Sequence, residues 1–121
     1  MKTYFPGMAD RCREVLDKTW VEISIVAREY GYALCFHGSG VRDIDIVAAP
    51  WVQHAHDAEE MVEALRKKVS ELLGDCFFSS KPLPEEKPHG RRAWTLHVHG
   101  GVYYDLSIYP LVKSIPNGEE S

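Results

Sequence analysis

The sequence predicts an α+β domain: a small mixed or antiparallel sheet with helices packed on one face. Three observations carry this. Two long segments repeat apolar residues at three- and four-residue steps, shorter apolar or alternating runs lie between and after them, and a Gly-Gly pair joins the last two runs. Strands that pair with their sequence neighbours, with helices covering one side, argue for α+β over a doubly wound parallel sheet. The 121 residues match one domain with one core, read here as residues 1–121 with an irregular tail after about residue 111.

The first helix is expected from about Asp10 to Tyr30, because Val15, Leu16, Thr19, Trp20, Ile23, Val26, Ala27 and Tyr30 form one apolar stripe. Asp10 is the expected N-cap and Gly31 the stop. Trp20, on the stripe, is expected in the core. "YALCF" (Tyr32 to Phe36) reads as a buried strand, with Cys35 as a small core residue. "IDIVA" (Ile44 to Ala48) reads as a second strand, ended by Pro50, which cannot donate to a sheet ladder.

A second helix is expected from about Asp57 to Leu73, with Met61, Val62, Leu65, Val69, Leu72 and Leu73 on its apolar side. Its Glu59, Glu60 and Glu63 come early and Arg66, Lys67 and Lys68 late, in the sense the helix dipole favours. Gly74 stops it, and "DCFFS" follows as a short strand. Residues 80–92, "SKPLPEEKPHGRR", hold three prolines and no periodicity, which predicts a long exposed loop. "AWTLHVH" and "VYYDLSIYP" flank Gly100 and Gly101 as the two arms of a hairpin.

Composition narrows the function classes. A formal charge of -4 gives no strong nucleic-acid signal and no pull toward anionic membranes. Three cysteines, far apart and without a CxxC pair, suit reduced thiols in the cytoplasm better than a disulfide framework. The N-terminal stretch lacks the apolar run of a secretion signal, and no window reaches membrane-spanning length. The expected location is therefore cytoplasmic.

The chemistry concentrates in "FHGSGVRDIDIVAAPW", residues 36–51. On a strand, residues two apart point to one face, so Asp43 and Asp45 project together. Two such carboxylates repel and lose hydration unless a cation sits between them. An oxygen-lined pair of this kind suits Mg2+ or Mn2+, which prefer carboxylates, water and substrate phosphate. Asp105 in "YYDLSIYP" lies on the face opposite Val102, Tyr104, Leu106 and Ile108, where a hairpin neighbour would set it beside the pair and give three carboxylates for two metals. Gly38, Ser39 and Gly40 form a small turn whose backbone N–H groups can approach phosphate oxygens.

These residues resemble the nucleotidyltransferase superfamily related to DNA polymerase β. Its signature is a Gly-Ser turn, a D-h-D strand (h hydrophobic) and a third acidic residue on a later strand. "HGSGVRDIDIVAAPW", "KPHGRRAW" and "YYDLSIYP" together also look like small phage- and prophage-encoded members, in which case the chain would work in a host cytoplasm. The resemblance, from about Tyr32 to Pro110, implies a minimal nucleotidyltransferase fold. It implies Gly38 and Ser39 as the phosphate-gripping turn, and Asp43, Asp45 and Asp105 as catalytic metal ligands, with Asp105 also activating the attacking hydroxyl. The family transfers a nucleoside monophosphate from an NTP to a hydroxyl and releases pyrophosphate. This chain departs in having only Gly40, Val41 and Arg42 between Ser39 and Asp43, where the superfamily has a longer insert with a short helix.

Arg42, Lys87, His89, Arg91 and Arg92 are candidates to bind nucleotide phosphate in place of that missing cradle, Arg being a bidentate phosphate ligand. Arg42 is alternatively the cation that stabilises Asp43 and Asp45 without metal. Histidine pairs at His54/His56 and His97/His99 have the spacing of shared transition-metal ligands but read better as surface residues. His37, next to the Gly-Ser turn, is a candidate to touch phosphate or orient Asp43. Three functional readings follow: a metal-dependent nucleotidyltransferase with an NTP and an unknown hydroxyl acceptor; a catalytically degenerate module binding a nucleotide or a host protein; and a metal-dependent phosphohydrolase.

Overall fold

The computed structural model describes residues 7–37, 43–78, 85–98 and 100–110. In chain order the elements are α1 (Met8–Glu29), β1 (Tyr32–His37), β2 (Ile44–Pro50), α2 (Ala58–Leu73), β3 (Cys76–Phe78), β4 (Glu85–Glu86), β5 (Arg92–Val98) and β6 (Tyr103–Ile108), with a 3₁₀ turn at Pro88–Gly90 before β5. The strands form one sheet in the order β1-β2-β6-β5-β3, with β4 beside β5. Every pairing is antiparallel except β2 with β6, which is parallel, so the sheet is mixed. The α+β architecture expected from the pattern is the one observed.

The parallel pair is what local pattern reading does not supply. Parallel neighbours need a long crossover, and here α2 lies within the chain that returns to the sheet. The β5–β6 pair is the expected hairpin, closed by a Val98 N–H to Val102 carbonyl bond of 3.1 Å. Gly100 and Gly101 take φ of 89° and 82° in its turn, a region glycine enters without strain.

Alternation sorts the sheet into two faces. Ile44, Ile46, Ala48, Trp94, Leu96, Val98, Tyr104, Leu106 and Ile108 are buried in the core. They meet Cys12, Val15, Ile23 and Ala27 of α1 and Met61, Val62, Leu65 and Val69 of α2. Burying a side chain of this size stabilises the fold by about 1.5–3 kcal/mol relative to exposure. A hydrogen bond of 2.6 Å between Thr19 Oγ1 and Tyr104 Oη crosses this core and ties α1 to β6. The alternate residues Asp45, Thr95, His97, Tyr103 and Asp105 are half-buried on the other face.

Several local expectations change. Gly7, at φ 79°, caps α1 without a side-chain bond, and Asp10 sits in the first turn, where its charge still meets the dipole. Trp20 is half-buried and packs against the core, edge-on to Phe36 at 6.4 Å. Cys35 is exposed, because β1 alternates and Cys35 falls on the odd-numbered side away from Tyr32, Leu34 and Phe36. Cys12, Cys35 and Cys76 are all free thiols, and burial pushes the Cys76 thiol up to about 11. The second half of the predicted 80–92 loop is built, with Glu85 and Glu86 paired to Ala93 and Arg92. Residues 79–84 lie outside the described residues.

The α2 helix follows the sequence closely. Asp57 is its N-cap in a capping box with Glu60, whose side chain accepts the Asp57 N–H at 3.3 Å. Arg66 bonds Glu63 at 2.6 Å and the Cys76 carbonyl at 3.0 Å, which fixes the start of β3 against the end of the helix. Among the described residues no helix is long and apolar enough to cross a membrane.

Candidate metal centre

Three carboxylates converge at the centre of the sheet. Asp43 immediately precedes β2, Asp45 is its second residue, and Asp105 is the third residue of β6. The parallel pairing sets Asp45 directly opposite Asp105. One carboxylate oxygen from each of Asp43, Asp45 and Asp105 lies within 4.8 Å of the others. Asp43 is 7% exposed, so this is a shielded cluster rather than a run of surface acids. The sequence expected a hairpin neighbour to bring Asp105 beside the pair; the neighbour is instead the parallel strand β2.

Electrostatics makes the cluster costly without a cation. Asp45 has its pKa raised, first by burial and then by the like charges of Asp43 and Asp105. A hydrogen bond with Asp43 pushes in the same direction, and His37 opposes it. His37 is the β1 partner of Asp45, so its register places it beside Asp45 rather than Asp43. The thiol of Cys12 on α1 is pushed up by burial and then by the charge of Asp43, and is therefore held protonated. Three oxygen donors of this reach fit a hard divalent cation such as Mg2+ or Mn2+, which takes carboxylates and leaves other positions to water or phosphate. Bound there, such an ion would polarise a phosphoryl oxygen and offset the mutual repulsion of the carboxylates.

The other expected site residues divide. Gly38, Ser39 and Arg42, with Gly40 and Val41, lie outside the described residues, as does His99. Lys87 pairs with Glu85 at 3.2 Å, and its N–H bonds the Arg91 carbonyl at 2.8 Å. His89 is exposed at φ 67° in the 3₁₀ turn, the single non-glycine residue with positive φ among the described residues. Arg92 turns to the helix side, bonding Glu59 of α2 at 2.7 Å and stacking over Trp94 at 5.2 Å. Arg91 is extended and two residues before Ala93, which gives it the parity of the carboxylate face. Arg92 lies opposite Ile108, three residues beyond Asp105, or about 10 Å along the strand at the usual rise. The basic turn is therefore not in the carboxylate cluster itself. Among the described residues, the histidine pairs build no metal group: His56 lies tilted against Tyr30 at 4.7 Å and faces Glu60, and His97 joins an aromatic row.

Thr95 is a position the sequence reading passed over. It is the β5 partner of Asp105, so His37, Asp45, Asp105 and Thr95 form one row across β1, β2, β6 and β5. Only strand register reveals it, since a lone threonine in an alternating run carries no signal.

No protein-family model and no curated protein matches the chain. Among solved structures, it is similar to terminal uridylyl transferase 4 from Trypanosoma brucei with bound CTP, at 14% identity and a TM-score of 0.44. That match covers 80% of this chain and 30% of the other, so the chain spans under a third of that protein's length.

Proposed function

We propose that the protein is a metal-dependent nucleotidyltransferase that moves a nucleoside monophosphate from an NTP to a hydroxyl acceptor. The observation that carries this reading is the cluster of Asp43, Asp45 and Asp105, with one carboxylate oxygen from each within 4.8 Å of the others where β2 and β6 run parallel. Asp43 and Asp45 hold the divalent ion, and Asp105 completes its carboxylate set and accepts the proton of the attacking hydroxyl. The new bond forms between that oxygen and the α-phosphorus. The bond to the bridging oxygen breaks, and pyrophosphate leaves. The Gly38 and Ser39 turn, with Arg42, grips the triphosphate beside Asp43. Lys87 and Arg91 supply positive charge farther along the sheet, His89 adds an imidazole that can hydrogen-bond phosphate, and Arg92 adds its charge only by leaving Glu59.

The test is a thermal melt with Mn2+ or Mg2+ and each NTP in turn. A raised Tm in the presence of metal and nucleotide is expected, and Asp43→Asn with Asp45→Asn is expected to abolish it. At ligand one hundred times its Kd, the stabilisation is about 2.7 kcal/mol. Absence of a shift with every NTP would overturn the reading. Release of nucleoside monophosphate with no labelled acceptor would replace it with hydrolysis.

A further inference from the structure

Beside the carboxylates, on the same face, three rings form a row. Phe77 of β3 stacks on His97 of β5 with centroids 5.7 Å apart and planes 21° apart. His97 meets Tyr103 of β6 at 5.7 Å and 42°. The register makes this arrangement obligatory, since Phe77 is paired with His97 and His97 with Tyr103. Tyr103 stands two residues before Asp105, and it precedes Tyr104, the partner of Ile44, which itself follows Asp43. One row of the sheet thus holds the carboxylates Asp45 and Asp105, and the next runs as rings from beside Asp43 to the sheet edge. Phe77, the outermost ring, is 55% exposed, although a solvated phenylalanine gains nothing from that position.

We infer that this row is the acceptor subsite, and that the acceptor is the hydroxyl end of a short single-stranded nucleic acid whose bases extend the Phe77–His97–Tyr103 stack. This deepens the transferase reading and rests on it. Three features select a base over other acceptors. Phe77 and His97 are already stacked, with Tyr103 tilted 42° against His97, so the spacing of the rings is set before a planar ligand arrives. The row offers one phenol and one imidazole, without the carboxylates and amides that hold sugar hydroxyls. Base–aromatic stacking is also tolerant of sequence and is itself uncharged, so its share of the binding does not depend on the chain's net charge of -4. The direction follows from the order of the row: bases lie toward Phe77 and the terminal hydroxyl falls next to Asp105.

The probe is a fluorescein-labelled single-stranded oligonucleotide with a free 3′ hydroxyl, as RNA and as DNA, titrated with the full chain and followed by anisotropy. Phe77→Ala is expected to weaken binding about 10-fold, as expected for a lost base–ring contact, and His97→Ala to weaken it less, by removing the ring on which Phe77 rests. The Mn2+–NTP melting shift of both variants should match that of the parent chain, which also shows that they fold. The log–log dependence of affinity on salt should have a slope smaller than about 1, because stacking rather than phosphate neutralisation holds the ligand. Unchanged oligonucleotide affinity in the double variant would overturn the inference while leaving the transferase reading intact, as would a steep salt slope. Competition by simple glycosides but not by nucleosides would overturn it in favour of a sugar acceptor. Loss of the NTP shift is a separate outcome, read by the melt and not by anisotropy, and it would strike the transferase reading.

Discussion

Asp45 is the residue whose chemistry is most constrained by its neighbours. Its pKa is raised above the ordinary value of 3.8 by burial, then by Asp43 and Asp105, so the folded state holds its proton more tightly than the unfolded chain does. The stabilisation from that proton is complete below the unfolded pKa and is lost as pH rises through the raised folded value. Above that folded value the metal-free protein has lost it. Asp45→Asn is therefore expected to raise the Tm of the metal-free protein at pH 7 and to flatten the change in Tm as pH climbs from about 4. Thermal melts in chelator across that range check both. A Tm that rises with pH over that window in the parent chain, and does so less in the variant, would contradict the sign. Asp43 and Asp45 were legible as a pair from the two-residue period alone. His37 and Thr95 were not legible as their neighbours, because register is a property of pairs of strands and no single strand encodes it.

At the scale of elements, the α1–β1 corner shows what a glycine contributes here. Gly31 has φ 91°, and a Cβ built on it would fall 2.7 Å from the Cα of Ala55 in the loop before α2. The loop is held there by Trp51 N–H to the Gly31 carbonyl at 3.0 Å and His56 N–H to the Tyr30 carbonyl at 2.9 Å. Gly31→Ala thus meets both backbone strain and a backbone clash, and is expected to cost about 2–3 kcal/mol in a denaturant titration. Gly74→Ala makes a useful control, since φ is 94° but a Cβ would meet nothing within 4 Å. It should cost less, by the contact share of the penalty. The sequence marked Gly31 and Gly74 alike, as helix stops. Their difference depends on what folds back over them, which local sequence does not carry. The same limit explains Cys35, where an apolar run of "YALCFH" hid an alternating strand with one face uncovered by either helix.

The molecule as a whole is one sheet whose central seam joins distant parts of the chain. β2 and β6 pair through Ile44 with Tyr104 and onward to Ala48 with Ile108, across everything between them in sequence. Periodicity found both strands, yet neither their parallel direction nor their adjacency, because closing so long a loop is decided by the total packing and not by either segment. That seam also has a kinetic side. Its closure is the step that brings Asp43, Asp45 and Asp105 within 4.8 Å, so the ordering of the fold works against its own like charges. Refolding from denaturant is expected to quicken when Mn2+ is present, by about twofold for each kcal/mol of relief that is half realised at the barrier. Stopped-flow rates with metal and with chelator measure this directly, and equal rates would place the seam after the barrier. A cation that serves the finished site would then also template its assembly, drawing the two halves of the chain into register before the core has closed around them.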